Sequence, residues 1–151
     1  MGELKLESTT FSDGEEIPRK YGYKNGNVSP PLKISGVPSE TESLVIIMDD
    51  PDAQAAVGKL WVHWVIWNIL PNTTDIPESS VPIGAIEGQT DFGENHYGGP
   101  APPDKRHTYV FRLYALNTKL DLPQNSNKTD VENAIENYIL AETVLKGTYA
   151  P

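Results

Sequence analysis

Residues 61–69, Trp-Val-His-Trp-Val-Ile-Trp-Asn-Ile, place three tryptophans and four valines or isoleucines in nine positions. Aromatic and β-branched side chains at that density fit a pleated, half-buried surface, so this segment is predicted to be a strand. Upstream, residues 44–48 form a continuous run, Leu-Val-Ile-Ile-Met, short and rich in β-branched residues. Such a run predicts a strand buried on both faces. A third segment, residues 107–116, alternates, so that His107, Tyr109, Phe111, Leu113 and Ala115 share one face. Thirteen prolines further favour strands and loops over long helices. The chain is predicted to be mainly β.

With 151 residues the chain fits a single domain, 1–151, able to bury about two-thirds of its unfolded surface. Twelve Lys and Arg against twenty-one Asp and Glu give a net charge of −9, with no basic run. A nucleic-acid binder needs a basic footprint, so that class is excluded. The absence of cysteine removes disulfides, thiolate metal sites and a Cys nucleophile together. The start, Met1-Gly-Glu-Leu-Lys-Leu-Glu7, has no apolar leader core, and no stretch approaches the ~20 apolar residues of a membrane span. The expectation is a soluble, cytoplasmic protein without stable membrane insertion.

Leu4, Leu6 and Phe11 predict a short first strand. Turn formers crowd residues 24–32, where two consecutive prolines, Pro30 and Pro31, make a cis proline admissible. Near the C-terminus, Thr129 with Glu132 three residues on reads as a capping box. Val131, Ala134, Ile135, Tyr138, Ala141 or Glu142, and Leu145 then follow helical spacing to Gly147. This predicts an amphipathic C-terminal helix of about four turns covering one sheet face.

Three stretches carry candidate chemistry. Asp49-Asp50-Pro51-Asp52 ends the buried run, where three carboxylates require donors or cations in reach, unless the turn is simply solvated. His63 is the one histidine in the tryptophan-rich strand, on the predicted face of Trp61, Val65 and Trp67, and reads as a core residue or a ligand group. A hairpin between the two strands would bring it to the edge that holds Asp50 and Asp52. Gly98 and Gly99, then Pro100, Pro102 and Pro103, lead into His107 and Tyr109. That is either a rigid loop whose backbone approaches a ligand or an ordinary connection. His96 reads as exposed and outside the site.

Taken together, Asn27-Val-Ser-Pro-Pro-Leu32, Asp49-Asp-Pro-Asp-Ala53 with Val62-His-Trp-Val65, and Tyr97-Gly-Gly-Pro-Ala-Pro-Pro103 with His107-Thr-Tyr-Val-Phe111 resemble the phosphatidylethanolamine-binding protein family, known also through Raf-kinase-inhibitor members, in its microbial branch. The likeness runs from about Phe11 to Tyr149, with Gln54 and Thr90 departing from the family pattern. It implies an antiparallel β-sandwich of two sheets with a C-terminal α-helix and short peripheral helices. It also implies a ligand pocket at Asp50, Asp52, His63, Tyr97, Gly98, Gly99, Pro100, His107 and Tyr109.

The expected function is a module that binds a small phosphorylated ligand or anion and regulates a kinase or another enzyme. His63, His107, the Tyr109 hydroxyl and the amides of Gly98 and Gly99 would donate to phosphate, with Asp50 and Asp52 orienting the imidazoles. No cofactor or metal is implied, and a homodimer is an expectation from likeness. Two other readings stand beside it: a metal-dependent or acid/base hydrolase using the same Asp and His residues, and an interaction domain whose pocket is vestigial. Neither His-Glu-x-x-His nor Gly-x-Ser-x-Gly occurs, so the chain is read as a binding protein rather than an enzyme.

Overall fold

The structure, a computed structural model, describes residues 3–151. In chain order its regular elements are β1 (Lys5–Glu7), β2 (Leu32–Ser35), β3 (Ser43–Asp50), α1 (Ala53–Val57), β4 (Trp61–Ile69), β5 (Asp75–Ile76), β6 (Ile86–Glu87), β7 (His107–Leu116), α2 (Lys128–Ile135) and β8 (Ile139–Tyr149), with a 3-10 turn at Arg19–Tyr21. Two antiparallel sheets result, one ordered β1-β2-β5 and the other β6-β4-β3-β7-β8. This is the two-sheet architecture that the resemblance implies.

The large sheet is covered on both faces. Leu44, Ile46 and Met48 of β3 and Tyr109, Phe111 and Leu113 of β7 face Leu6, Leu32 and Ile34 of the small sheet. Val45 and Ile47 of β3 point the other way, with Val65 and Trp67, onto Val131 and Ile135 of α2. All eight residues of β3 are buried, as its unbroken apolar run predicts.

That burial creates a demand at the end of β3, where the apolar run gives way to two aspartates. Alternation sends Asp49 to the helix side and Asp50 to the inter-sheet side. Asp49, fully buried, accepts two bonds from Arg112 of β7, at 2.8 and 3.0 Å, and lies 3.5 Å from Lys128 Nζ at the start of α2. A planar guanidinium matches a carboxylate in two places at once, which a single ammonium cannot do. The pair therefore ties β3 to β7, with the helix terminus close by.

The C-terminal region departs from expectation. Helix α2 ends at Ile135, and residues 139–149 form β8, paired along its length with β7. The apolar positions of this stretch fit both periods over a short window. The residues on its more buried side are Ile139, Ala141, Thr143, Leu145, Gly147 and Tyr149, a spacing of two. An open edge of β7 offers ten residues of ladder, and a strand satisfies it. Gly147 is thus no helix cap. It lies opposite Tyr109, where a Cβ would run into Ile17 and Phe11.

The capping box also shifts, to Asn127 and Asp130, whose side chains exchange bonds of 3.0 Å with each other's backbone amides. All peptide bonds of the described residues are trans, including those at Pro30 and Pro31, where a cis bond was admissible. Among the described residues no helix is long and apolar enough to cross a membrane.

Removing one partner of a buried ion pair strands the other charge, at a cost of about 3 kcal/mol or more. Arg112→Met should therefore lower the free energy of unfolding in urea by that amount, seen as a lower midpoint at an unchanged m-value, and a loss below about 1 kcal/mol would show that Lys128 alone suffices for Asp49.

Candidate functional site

The β3 and β4 ends, the turn at residues 90–93 and the loop before β7 enclose a cavity of about 240 Å³. Asp50, His63, His107 and Tyr109 supply its polar groups, and Trp61, Phe92, Ala53, Val57, Ala101 and Pro103 the apolar wall. Four of the sequence-predicted residues thus meet around one space.

His63 reaches it through a bulge. Asp49 pairs with Val62 and Met48 with Trp64, so His63 is the extra residue of β4. A bulge re-aims the side chains around it. His63 and Trp64 consequently both face inward, while Val62, Val65 and Trp67 face α2. The expected face is corrected accordingly: His63 shares the cavity with Trp61 and not with Val65 or Trp67.

The His63 ring is buried, and its Nδ1 lies 2.6 Å from the Gly98 carbonyl. A carbonyl can only accept, so Nδ1 carries the proton. Burial drives the ring's pKa down to about 4, against the partial support of its bonds to the Gly98 and Gly99 backbone. At neutral pH, then, His63 is uncharged and its Nε2 offers a lone pair. The expectation that a carboxylate would hold this imidazole protonated does not hold.

His107 is the opposite case. Its Nδ1 lies 2.6 Å from Asp50 Oδ2 and its Nε2 2.6 Å from Asp104 Oδ1. Burial opposes its charge, but the two carboxylates outweigh that and raise its pKa above the ordinary value. Asp50 is raised by its own burial, partly offset by His107. With both nitrogens engaged, His107 keeps no donor for a ligand. Asp52 does not touch an imidazole at all: its Oδ2 accepts from the Thr108 amide at 2.8 Å, and its own amide donates to Asp50 Oδ1 at 3.0 Å.

Tyr109 lies on the shared face of β7 between the two histidines, 5.1 Å from the His63 ring and 6.3 Å from that of His107. It is wholly buried, and its hydroxyl has no hydrogen-bond partner among the described residues. Burial, then the nearby Asp50 charge, holds the phenol well above its usual pKa, so it remains a donor.

The Gly-Gly-Pro loop acts behind the wall. The Gly98 amide donates to the His63 carbonyl at 2.9 Å and the Gly99 amide to Asn27 Oδ1 at 2.7 Å, so neither is available to a ligand. A Cβ on Gly98 would strike the Phe92 ring, and one on Gly99 the Tyr21 carbonyl. The Pro100 carbonyl accepts from Tyr23, and the buried Tyr97 hydroxyl donates to the Tyr21 carbonyl at 2.8 Å. Tyr97, Gly99 and Pro100 therefore dock the loop on residues 21–27 and do not line the cavity. His96 lies apart, half exposed and 2.6 Å from Glu94.

Phe92 and Trp61 were not singled out from the sequence. Phe92 stacks on Tyr23 at 4.4 Å and meets His63 edge-on at 5.3 Å. Its turn is held by Thr90, whose hydroxyl donates to the Glu94 carbonyl and accepts from the Phe92 amide, and by Asp91, which accepts from the Val62 amide at 2.7 Å. Thr90, a departure from the family pattern, thus keeps the turn bonded. Among the described residues no group of three or more His, Cys, Asp or Glu could hold a metal ion.

Two imidazoles of one cavity shifted in opposite directions make a sharp titration test. Ring NMR should find His63 titrating near pH 4 and His107 above the ordinary 6.5. The signs oppose each other in stability. For His63 the unfolded ring takes its proton first, so about 3 kcal/mol is lost as pH falls from 6.5 to about 4. The His107 contribution is full below 6.5 and is lost as pH rises through its raised value. A His63 midpoint near 6.5 would contradict this geometry.

A family model described as phosphatidylethanolamine-binding protein matches residues 7–150. The chain is 44% identical over 151 residues to the UPF0098 protein of Methanothermobacter thermautotrophicus, covering 97% of this chain and 98% of that one. It is 40% identical over 148 residues to the UPF0098 protein of Chlamydia muridarum, with 97% and 98% covered. Among solved structures, a phosphatidylethanolamine-binding protein homologue from Chlamydia trachomatis superposes with a TM-score of 0.91 at 37% identity, over 97% of each chain. Escherichia coli YbcL, described as a member of the mammalian family, superposes with a TM-score of 0.90 at 32% identity, over 98% of each. Matched along nearly its whole length by the family model, and by full-length relatives in both sequence and structure, the chain belongs to the phosphatidylethanolamine-binding protein family.

Proposed function

We propose that the cavity binds a small phosphorylated group, a free head group such as phosphoethanolamine or a phosphorylated residue of a partner protein, and that a kinase or another enzyme is engaged through it. The observation that carries this reading is the Tyr109 hydroxyl, wholly buried, with no partner at hydrogen-bond geometry among the described residues, and on the cavity wall beside His63. An unsatisfied buried hydroxyl costs about 1–3 kcal/mol, which a ligand oxygen recovers by accepting its hydrogen bond. About 240 Å³ suits a head group rather than a whole lipid.

The arrangement selects one ionic form of the ligand. Asp50 and Asp104 with protonated His107 leave a local charge of about −1, which disfavours a phosphate dianion. Neutral His63 accepts a hydrogen bond at Nε2 rather than donating one. A phosphate monoanion meets both conditions: its P–OH donates to His63 Nε2 while another oxygen accepts from Tyr109. The ammonium of phosphoethanolamine adds a favourable charge for Asp50.

Calorimetry with phosphoethanolamine tests the reading. Above the second phosphate pKa, about 6, the monoanion fraction falls about tenfold per pH unit, so affinity should fall at that rate. His107 deprotonation acts in the same direction. Tyr109→Phe, which removes only the unpartnered hydroxyl, should weaken binding about tenfold or more and leave the fold as stable or more so. Affinity that is flat from about pH 6 to about 8, or a phenylalanine variant that binds as well, would defeat the proposal.

A further inference from the structure

We propose that Asp104, a residue outside every site motif of the sequence, is a positioning residue of the cavity: from the solvent side it holds His107 as an imidazolium, and through His107 it keeps the Asp50 carboxylate neutralised beside the ligand.

The argument begins with the ring. A neutral imidazole has one N–H and one lone pair, so between two ionised carboxylates it would turn that lone pair on an oxygen at 2.6 Å. The imidazolium donates to both, which makes the charged ring the one species that satisfies this geometry. Burial then divides the roles. The side chains of His107 and Asp50 are 0% and 4% exposed, whereas that of Asp104 is 42% exposed. Water reaches the triad at Asp104, and the cavity meets it at Asp50.

Pro103, itself on the cavity wall, fixes the backbone just before Asp104 and limits how far the carboxylate can wander. The other charged or titratable groups around the ring are committed elsewhere. Asp52 holds the Thr108 amide, Arg106 pairs with Glu16 at 2.8 Å, Tyr109 presents its ring at 6.3 Å, and Tyr149, opposite His107 in β8, donates to the Arg19 carbonyl. Among the described residues only Asp50 and Asp104 touch the ring nitrogens.

Without Asp104, Nε2 faces water and the imidazolium keeps a single carboxylate. It then loses its proton at lower pH, and Asp50 stands uncompensated against a phosphate oxygen. This consequence for binding rests on the phospho-ligand reading; the hold of Asp104 on His107 does not.

The test compares the wild type with Asp104→Asn and Asp104→Glu. The His107 ring is titrated by NMR in the ligand-free protein, and phosphoethanolamine affinity is measured by calorimetry from about pH 6 to about 8. The expected result is a His107 midpoint displaced to lower pH in the asparagine variant and largely restored in the glutamate variant. The ratio of variant to wild-type affinity, in which the titration of the phosphate itself cancels, should fall between the two His107 midpoints and level off on either side. An unmoved midpoint in Asp104→Asn overturns the inference, as does a moved midpoint with an affinity ratio that does not change with pH. A wild type that binds no phosphoethanolamine at any pH defeats the phospho-ligand reading, while a displaced midpoint in that case still upholds the hold of Asp104 on the ring.

Discussion

A strand buried on both faces that ends in two aspartates sets the terms for the rest of this molecule. The apolar part of β3 satisfies itself by packing, but its last two residues carry charge into a region water does not reach. Each carboxylate must be met on its own side. On the helix side a guanidinium does so, and the result is structural: Arg112 fastens β7. On the inter-sheet side an imidazole does so, and the result is a site. The difference lies in the partner. An arginine stays charged at any working pH and offers no switch, whereas a histidine between carboxylates carries a proton that it can give up.

The bulge at His63 is the second condition. In regular register His63 would alternate with Trp64, and only one of the two could face inward. The inserted residue lets Trp64 remain in the core, edge-on to Tyr97 at 5.3 Å, while His63 takes the cavity wall. A ladder irregularity costs backbone hydrogen bonding, and here the Gly98 segment supplies what is missing: its amide bonds the His63 carbonyl and its carbonyl bonds the His63 ring. The glycine pair is therefore explained by close approach to β4, Phe92 and residues 21–22, not by an open backbone for the ligand.

Much of this was legible in the residues, and what was not has definite causes. The strands β3, β4 and β7 are long, strongly patterned and buried, and their pattern was sufficient. The pairing of β3 with β4 follows from the short connection between them, while β7 adds to the other edge of β3, and the three strands together bring Asp50, His63, His107 and Tyr109 to one place. The final strand was not legible, because residues 131–145 satisfy helical spacing at one end and alternation at the other. The choice between them is made by an unpaired edge of β7 more than 20 residues upstream. The face of His63 was not legible either, since a bulge is a property of the partner strand as much as of its own. The charge of each histidine was least accessible of all. Two imidazoles in one cavity differ because one meets a carbonyl and the other two carboxylates, and one of those, Asp104, lies in a loop whose composition reads only as a turn.

That contrast bears on what the cavity is suited to do. A general base works best with a pKa near the working pH, and His63, held at about 4, is a weak base under neutral conditions. His107 has both nitrogens committed, and the Tyr109 phenol is held far from ionising. Neither imidazole nor the phenol is thus tuned to take a proton from water or to attack a substrate as an anion. The same three features suit recognition. A fixed acceptor, a fixed donor and a neutralised carboxylate, set in a small aromatic enclosure, distinguish the protonation state of a ligand more sharply than they could drive its reaction.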